Sequence, residues 1–218
     1  MNPLSKLIAA AAVLRSRLQR FKVGRRWAKL RAEGMQLGAD VWLPASTWID
    51  PDYRFLISIG DHCGFGEDCF ILAHDAQMDE FLDATRVGRV VIHSSCHIGS
   101  RTVVLPGVEI GPRTIVGANS VVSSSLPPDT VCAGAPARVI CSLEQYLAKH
   151  RERIAARPTF QYDRNAPTVE QRADMVRALR SQDGYVLGGR SAELRGEGGG
   201  TPRTPFDCGA NSSRRAHE

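Results

Sequence analysis

The chain has no apolar segment long enough to cross a bilayer. The longest apolar run near its start, Leu7–Leu14, is far shorter than the roughly 20 residues of a spanning helix, and no small-residue cleavage site follows it. With 218 residues and 43% apolar composition, the chain can bury one sizeable core and still carry appendages. We therefore expect a cytoplasmic protein that consists of one domain plus tails.

The sequence also lacks a C-x-x-C pair, which weighs against a metal ribbon or a dithiol redox site. Without a secretory signal, a disulfide framework has no support either. The six cysteines therefore need another explanation, and the spacing described below supplies one for three of them. They are Cys63, Cys69, Cys96, Cys132, Cys141 and Cys208.

Basic charge is scarce in the middle of the chain, although the net charge is +5. Residues 37–141 hold 6 Lys and Arg against 12 Asp and Glu, whereas residues 1–36 hold 9 against 1. This distribution argues against a nucleic-acid partner, because the basic excess lies in the flank. A basic amphipathic start is either a solvated helix face or a peripheral contact with the inner membrane surface, and the first reading is the simpler.

The central region repeats with a period of six. Twelve positions tested at this spacing all hold apolar residues, and a smaller residue follows four positions later in nine cases. The period fits neither a lone helix nor a lone strand, but it fits a short strand and a turn, three of which make one triangular coil. The apolar positions are Leu37, Leu43, Ile49, Ile59, Phe65, Ile71, Ile92, Ile98, Val104, Ile110, Val116 and Val122.

The smaller residues predict a second buried column beside the first. Cys63, Cys69 and Cys96 occupy this slot, so we interpret them as small core residues rather than as ligands or redox groups. The period breaks twice, between Ile49 and Ile59 and between Ile71 and Ile92. Insertions in a stacked-coil fold become external loops, commonly on the functional face.

The pattern predicts an all-β solenoid with helical appendages. We expect a basic helical segment over residues 1–36, the solenoid over 37–141, C-terminal helices over 142–187 and a disordered tail over 188–218. Thr168 and Gln171 have the spacing of a capping box at the start of one of these helices.

Residues 98–140 carry three short motifs in succession. They are P-G-V at Pro106–Val108, G-A-x-S-V-V at Gly117–Val122 and A-G-x-P-A-R at Ala133–Arg138. Together they resemble the C-terminal signature of hexapeptide-repeat acyltransferases, in particular sugar and polysaccharide O-acetyltransferases. The resemblance implies a left-handed parallel β-helix, whose handedness the period alone does not give. It also implies acetyl-CoA as co-substrate and a homotrimer.

His74 is the candidate general base, because it lies where the coil gives way to the second break, and imidazole titrates near neutral pH. A catalytic histidine holds the same relation in the family that the chain resembles. Asp75 follows it and could orient the acceptor or tune His74, although adjacent residues in an extended chain point apart. In this interpretation the protein transfers an acetyl group to a hydroxyl of a carbohydrate or glycan precursor, without a metal.

The resemblance also implies the acetyl-CoA contacts, between the prisms of neighbouring subunits. Ser100 and Ala118 hold the places that line the pantetheine arm. Ser123 and Ser124 stand where the family usually has Thr-Lys, so one phosphate-binding charge is missing. Arg138 remains as a cation for a CoA phosphate.

Two alternatives stay open at this point. A γ-class carbonic anhydrase, a related β-helix, binds zinc through three histidines, but His93 and His97 are separated by three residues where that site needs four. We therefore expect no metal, and the resemblance instead places His97 beside the acceptor pocket. The second alternative is a non-catalytic β-helix that serves only as a scaffold.

Overall fold

The structure is a computed structural model that describes residues 25–161 and 167–187. The predicted tail over 188–218, the first 24 residues of the predicted basic helix, and Cys208 lie outside the described residues. Helix α1 occupies residues 25–32 and ends before Gly34, which adopts a φ of +89°. Leu30 of this helix is buried, and Arg26 donates hydrogen bonds to the carbonyl oxygens of Pro44 and Thr47. The helix thus packs on the first coil.

Short strands follow one another along the repeat, separated by tight turns. In chain order they are β1 Gln36–Leu37, β2 Trp48–Ile49, β3 Ile57–Ile59, β4 Gly64–Phe65, β5 Phe70–Ile71, β6 His74–Asp75, β7 Arg86–Val87, β8 Val90–Ile92, β9 His97–Ile98, β10 Val103–Val104, β11 Glu109–Ile110, β12 Ile115–Val116, β13 Val121–Val122, β14 Thr130–Gly134 and β15 Ala137–Ser142. A 3₁₀ helix spans Arg54–Leu56 and helix α2 spans Asp79–Leu82.

Thirteen of these strands form three sheets, and the chain visits sheet A, then B, then C in every full coil. Sheet A has the order β1-β3-β8-β11, sheet B β4-β9-β12-β14-β15, and sheet C β2-β5-β10-β13. All pairs within these sheets are parallel except β14 with β15, which closes the solenoid as an antiparallel pair. This arrangement confirms a parallel β-solenoid.

The predicted inward columns stack in register. In sheet C, Ile49 pairs with Ile71, which pairs with Val104, which pairs with Val122. All twelve predicted large residues and all nine smaller ones are buried. The three cysteines of the smaller column are buried as well, as expected. Because each coil hides its apolar residues only against the next coil, the stack depends on every layer.

Glycines in the second place of the repeat serve close approach rather than a left-handed turn. A Cβ on Gly99 would lie 2.3 Å from the backbone nitrogen of Ala118, one coil away. The left-handed backbone positions at the corners are held instead by non-glycine residues such as Arg101 and Asn119. The spacing between neighbouring coils therefore leaves no room for a side chain at Gly99.

Both breaks in the period fall at one corner of the prism, which we call the C–A corner. It comprises residues 50–56 after strand β2 and residues 72–89 after strand β5. The second insertion contains the antiparallel pair β6 and β7 and the short helix α2. Since β2 and β5 are neighbours in sheet C, the two insertions arise from adjacent coils.

Further elements follow the solenoid. They are helix α3 Leu143–Ala156, strand β16 Thr159–Phe160, helix α4 Val169–Ala178 and strand β17 Tyr185–Val186. Thr168 caps α4 through the predicted capping box with Gln171. The prediction of helices alone misses the parallel pairing of β16 with β17. The chain divides into two compact units between Tyr146 and Leu147. Among the described residues, no helix is long and apolar enough to span a membrane.

Candidate functional site

A histidine and a buried aspartate meet at the C–A corner. Asp50 follows strand β2 directly, and His74 begins strand β6, three residues after strand β5. Their side chains form a hydrogen bond of 2.5 Å between His74 Nδ1 and Asp50 Oδ2. The two residues are 24 positions apart in the chain and come together because their coils are stacked.

The carboxylate of Asp50 is fully buried and holds the corner together. Its Oδ2 also accepts hydrogen bonds from the backbone N–H groups of Ala73 and His74, both at 3.0 Å. Its Oδ1 accepts from the backbone N–H groups of Asp52 and Tyr53 at 3.1 and 3.2 Å. One side chain thus fixes the start of both insertions.

These contacts define the protonation of the pair. Burial raises the pKa of the Asp50 carboxyl group, but the hydrogen bonds from His74 and from the backbone of Ala73, Asp52 and Tyr53 outweigh burial and lower this pKa overall. Asp50 is therefore ionised at neutral pH and can only accept hydrogen bonds. The Nδ1 atom of a neutral His74 must then carry the ring proton, which leaves Nε2 as the basic nitrogen.

The ring of His74 is held on a second side by an aromatic neighbour. Its centroid lies 5.0 Å from that of Tyr53, with the two planes tilted by 43°. The His74 side chain retains 25% of its exposure, so the imidazole is fixed in orientation yet accessible from solvent. Asp50, Tyr53 and His74 together form an oriented base that can take a proton from a bound hydroxyl group.

Asp75, the other predicted catalytic residue, points into a different set of contacts. Its Oδ1 accepts a hydrogen bond from the backbone N–H of Gln77, and its backbone pairs with Arg86 in strand β7. The carboxylate that contacts the His74 ring is that of Asp50. A role for Asp75 toward the acceptor stays a prediction.

The residues predicted to contact acetyl-CoA fall into three places. Ser100 and Ala118 lie at the turn between sheets B and C in neighbouring coils, where the N–H of Asn119 donates to the Ser100 carbonyl oxygen at 2.9 Å. Ser123 and Ser124 are exposed and follow strand β13. Ser100 and Ala118 thus precede strands β10 and β13, the last two strands of sheet C, and Ser123 and Ser124 follow β13. Arg138 lies on strand β15 in sheet B, where it pairs with Ala133, and is exposed.

His93 and His97 lie on other parts of the solenoid, directly after strand β8 and in strand β9. His97 is exposed on sheet B, where its ring leaves no space for a Cβ on Gly64, the residue it pairs with in strand β4. His93 Nε2 contacts Glu109 Oε1 at 2.5 Å. Within the described chain, neither belongs to the one group whose ligand atoms would suit a metal ion, which is Asp50, Asp52 and His74, all within 4.8 Å of one another.

Sequence reasoning missed Asp50, although a signal was present. The period places Ile49 and Ile71 in one column, so the residues directly after them must lie in adjacent coils at the same corner. Polar residues that follow both positions, before an insertion, are therefore neighbours in space. Asp50 directly follows Ile49, and His74 stands three residues after Ile71, so both lie where a coil leaves the stack at this corner.

Comparison with known proteins agrees with the repeat. Residues 89–124 match the family described as bacterial transferase hexapeptide (six repeats). The chain is 35% identical over 97 residues to the "Putative acetyltransferase YvoF" of Bacillus subtilis, and 45% identical over 51 residues to galactoside O-acetyltransferase of Escherichia coli. These alignments cover 44% and 23% of this chain, and 54% and 25% of those relatives.

A solved structure is similar as well. The hexapeptide-repeat acetyltransferase VCA0836 of Vibrio cholerae, crystallised with acetyl-CoA, is 28% identical, with a TM-score of 0.44 over 62% of this chain and 90% of that one. The chain spans about half of the length of these curated relatives, or less. Residues 89–124 thus carry the bacterial transferase hexapeptide repeat, in agreement with the period of six.

Proposed function

We propose that this protein transfers an acetyl group from acetyl-CoA to a hydroxyl group of a carbohydrate or glycan precursor, with His74 as general base. The observation that carries the proposal is the hydrogen bond of 2.5 Å between His74 and the buried Asp50 at the C–A corner. The hexapeptide repeat and the acetyltransferase names of the relatives support the reaction class.

The pair suits direct transfer. The reaction joins the acceptor oxygen to the acetyl carbon and breaks the carbon–sulfur bond, so a hydroxyl proton must be removed and a thiolate must receive one. His74 Nε2 takes the hydroxyl proton, and the resulting imidazolium is stabilised by the charge of Asp50. The same imidazolium can then protonate the departing sulfur. Backbone N–H groups serve as donors to the tetrahedral oxyanion.

The donor side of the site rests on the predicted contacts. We assign Ser100, Ala118 and Ser123 to the groove for acetyl-CoA and Arg138 to one of its phosphates, in a left-handed β-helix that assembles as a homotrimer. The turn between sheets B and C supports this assignment, because its side chains are small, with Ser100 half-buried and Ala118 exposed. The Ser123–Ser124 pair lacks the lysine charge, so phosphate binding depends on Arg138 and on other cations.

The acceptor class is supported by the relatives. The E. coli proteins that match include a galactoside O-acetyltransferase and one named for colanic acid biosynthesis, a polysaccharide. We extend a carbohydrate acceptor to this chain on that basis.

Replacement of His74 by Gln tests the base. We expect loss of CoA thiol release with acetyl-CoA and methyl glycosides as acceptors, while acetyl-CoA still raises the melting temperature through ligand linkage. His62→Gln is the matched control, because His62 also contacts an aspartate, Asp40 at 3.3 Å, but at an exposed corner. Transfer at the wild-type rate by His74→Gln would contradict the assignment. Acetyl-CoA that leaves the wild-type melting temperature unchanged would favour the scaffold alternative instead.

A further inference from the structure

The first insertion at the C–A corner presents an aromatic row that begins at the His74 ring. The Tyr53 ring lies 5.0 Å from His74, and the Phe55 ring lies 6.0 Å from Tyr53 at an interplanar angle of 46°. Tyr53 is half-buried, whereas Phe55 is 59% exposed. Aromatic residues make up only 6% of the sequence, so an exposed ring that is linked to the base through Tyr53 needs an explanation.

The exposed ring is held in place by its backbone. The Cβ of Phe55 packs so closely on Gly34 that a Cβ on that glycine would lie 2.8 Å away. The neighbouring Arg54 forms an ion pair of 2.6 Å with Glu33, and Asp50 accepts the N–H of Tyr53. Three contacts thus fix the backbone of the short helix that carries Phe55, and its ring is exposed at a defined place.

A carboxylate lies beside this row. Asp52 is exposed, and its carboxylate oxygen is within 4.8 Å of ligand atoms of both Asp50 and His74. An ionised carboxylate only accepts hydrogen bonds and therefore suits the hydroxyl groups of a bound molecule. Residues 52–55 thus present a hydrogen-bond acceptor near His74 and a flat apolar ring further along the same short insertion. This combination suits a pyranose, which has a face of C–H groups and a rim of hydroxyl groups.

The position of the row relative to the donor agrees with this chemistry. The predicted acetyl-CoA contacts Ser100, Ala118 and Ser123 belong to the third coil (β8 to β10) and the fourth coil (β11 to β13). Residues 52–55 follow the first coil, which ends with β2, and His74 follows the second coil (β3 to β5). Along the solenoid axis, the first coil therefore lies on the side of His74 away from the predicted donor contacts, which leaves that side for the acceptor.

We propose that Asp52, Tyr53 and Phe55 form the acceptor subsite, in which Phe55 stacks on the apolar face of a pyranose ring and Asp52 accepts a hydrogen bond from one of its hydroxyl groups. The inference rests on the proposed acetyl transfer and narrows its acceptor to a cyclic sugar over an acyclic alcohol. The three residues bind and orient the acceptor, and the proton transfer stays with His74.

Acceptor preference tests the subsite. Methyl β-D-galactopyranoside and methyl α-D-glucopyranoside serve as cyclic probes, and sorbitol serves as the acyclic one. Phe55→Leu keeps apolar area but loses the flat ring, so KM for the glycosides should rise about three- to tenfold while KM for acetyl-CoA stays unchanged. Phe55→Trp should restore the glycoside KM. Phe70→Leu is the control, because Phe70 is similarly exposed at 43% but lies on sheet C.

Direct binding separates this inference from the proposed reaction. Saturation-transfer NMR should detect both glycosides on wild-type protein and give a weaker signal with Phe55→Leu and Asp52→Asn at the same glycoside concentration, whether or not transfer occurs. Glycoside binding without thiol release would refute the proposed function alone. Equal glycoside binding by wild type and Phe55→Leu, no binding to wild type, or an equal loss with Phe70→Leu would overturn the subsite.

Discussion

Replacement of Asp50 by Asn is the most informative change, because it removes one charge while it preserves shape. The amide oxygen should take the place of Oδ2, where His74 Nδ1 and the N–H groups of Ala73 and His74 donate. The amide nitrogen then faces the N–H groups of Asp52 and Tyr53, which lose their acceptor. A lost acceptor costs about 1–3 kcal/mol for a buried donor.

The magnitude follows from this geometry. Both orphaned N–H groups are only partly buried, so we expect the free energy of unfolding to fall by about 2–3 kcal/mol, near the lower end for two such losses. The Nδ1–H tautomer of His74 survives, but the imidazolium loses its counter-charge. We therefore expect kcat to fall by about 10²–10⁴-fold, the range of a positioned general base.

Two assays separate these effects. Urea unfolding reports the stability loss, and thiol release at saturating acetyl-CoA reports kcat. His74→Gln is the companion variant, since it should lose similar activity with little loss of stability, because its side chain is partly exposed. Unchanged kcat in folded Asp50→Asn would refute the reasoning that the carboxylate supports the base.

Three further outcomes are expected. Hydrogen bonds outweigh burial and lower the pKa of Asp50, so its carboxylate stabilises the fold above the ordinary Asp pKa of about 4. This stabilisation is lost as the pH falls through the lowered pKa of the folded state. Below about pH 4, thermal unfolding should therefore show a steeper loss of stability for wild type than for Asp50→Asn. Gly99→Ala should cost about 1–3 kcal/mol in urea unfolding and raise KM for acetyl-CoA, because its Cβ would lie 2.3 Å from the Ala118 nitrogen; an unchanged KM would argue against the groove. Ile110→Ala, at a fully buried position, should cost about 2–5 kcal/mol in the same assay without a change in KM.

The solenoid could be predicted from the sequence because its constraint is periodic. Each six-residue repeat places a large residue inward and in most cases a small one four positions later, so spacing alone predicts that Ile59 and Cys63, for example, lie in the core, and both are buried. His74 could be predicted for a related reason, because it stands where the period fails. Position within a repeat is thus sufficient to identify the core and the places where the chain leaves it.

The partner of His74 could not be predicted in the same way. Asp75 is adjacent in sequence, but backbone geometry turns its carboxylate to the N–H of Gln77. Asp50 lies 24 residues earlier and reaches the ring only because the stacked coils bring the two insertions together. Contacts of this kind depend on the register between coils, and the insertion lengths hide that register from a simple count of residues.

The location of both insertions at one corner separates the parts of the site that are constrained from those that are free to vary. The B and C strands of the third and fourth coils must keep close spacing, as Gly99 shows, so the predicted donor groove allows little change. Residues 50–56 and 72–89 leave the stack, and Asp50 fixes the start of both through its backbone contacts. The ring of Phe55 is exposed, so its replacement should leave the buried columns and the Asp50–His74 pair in place. Acceptor specificity should thus be the property that substitution in the first insertion alters most readily.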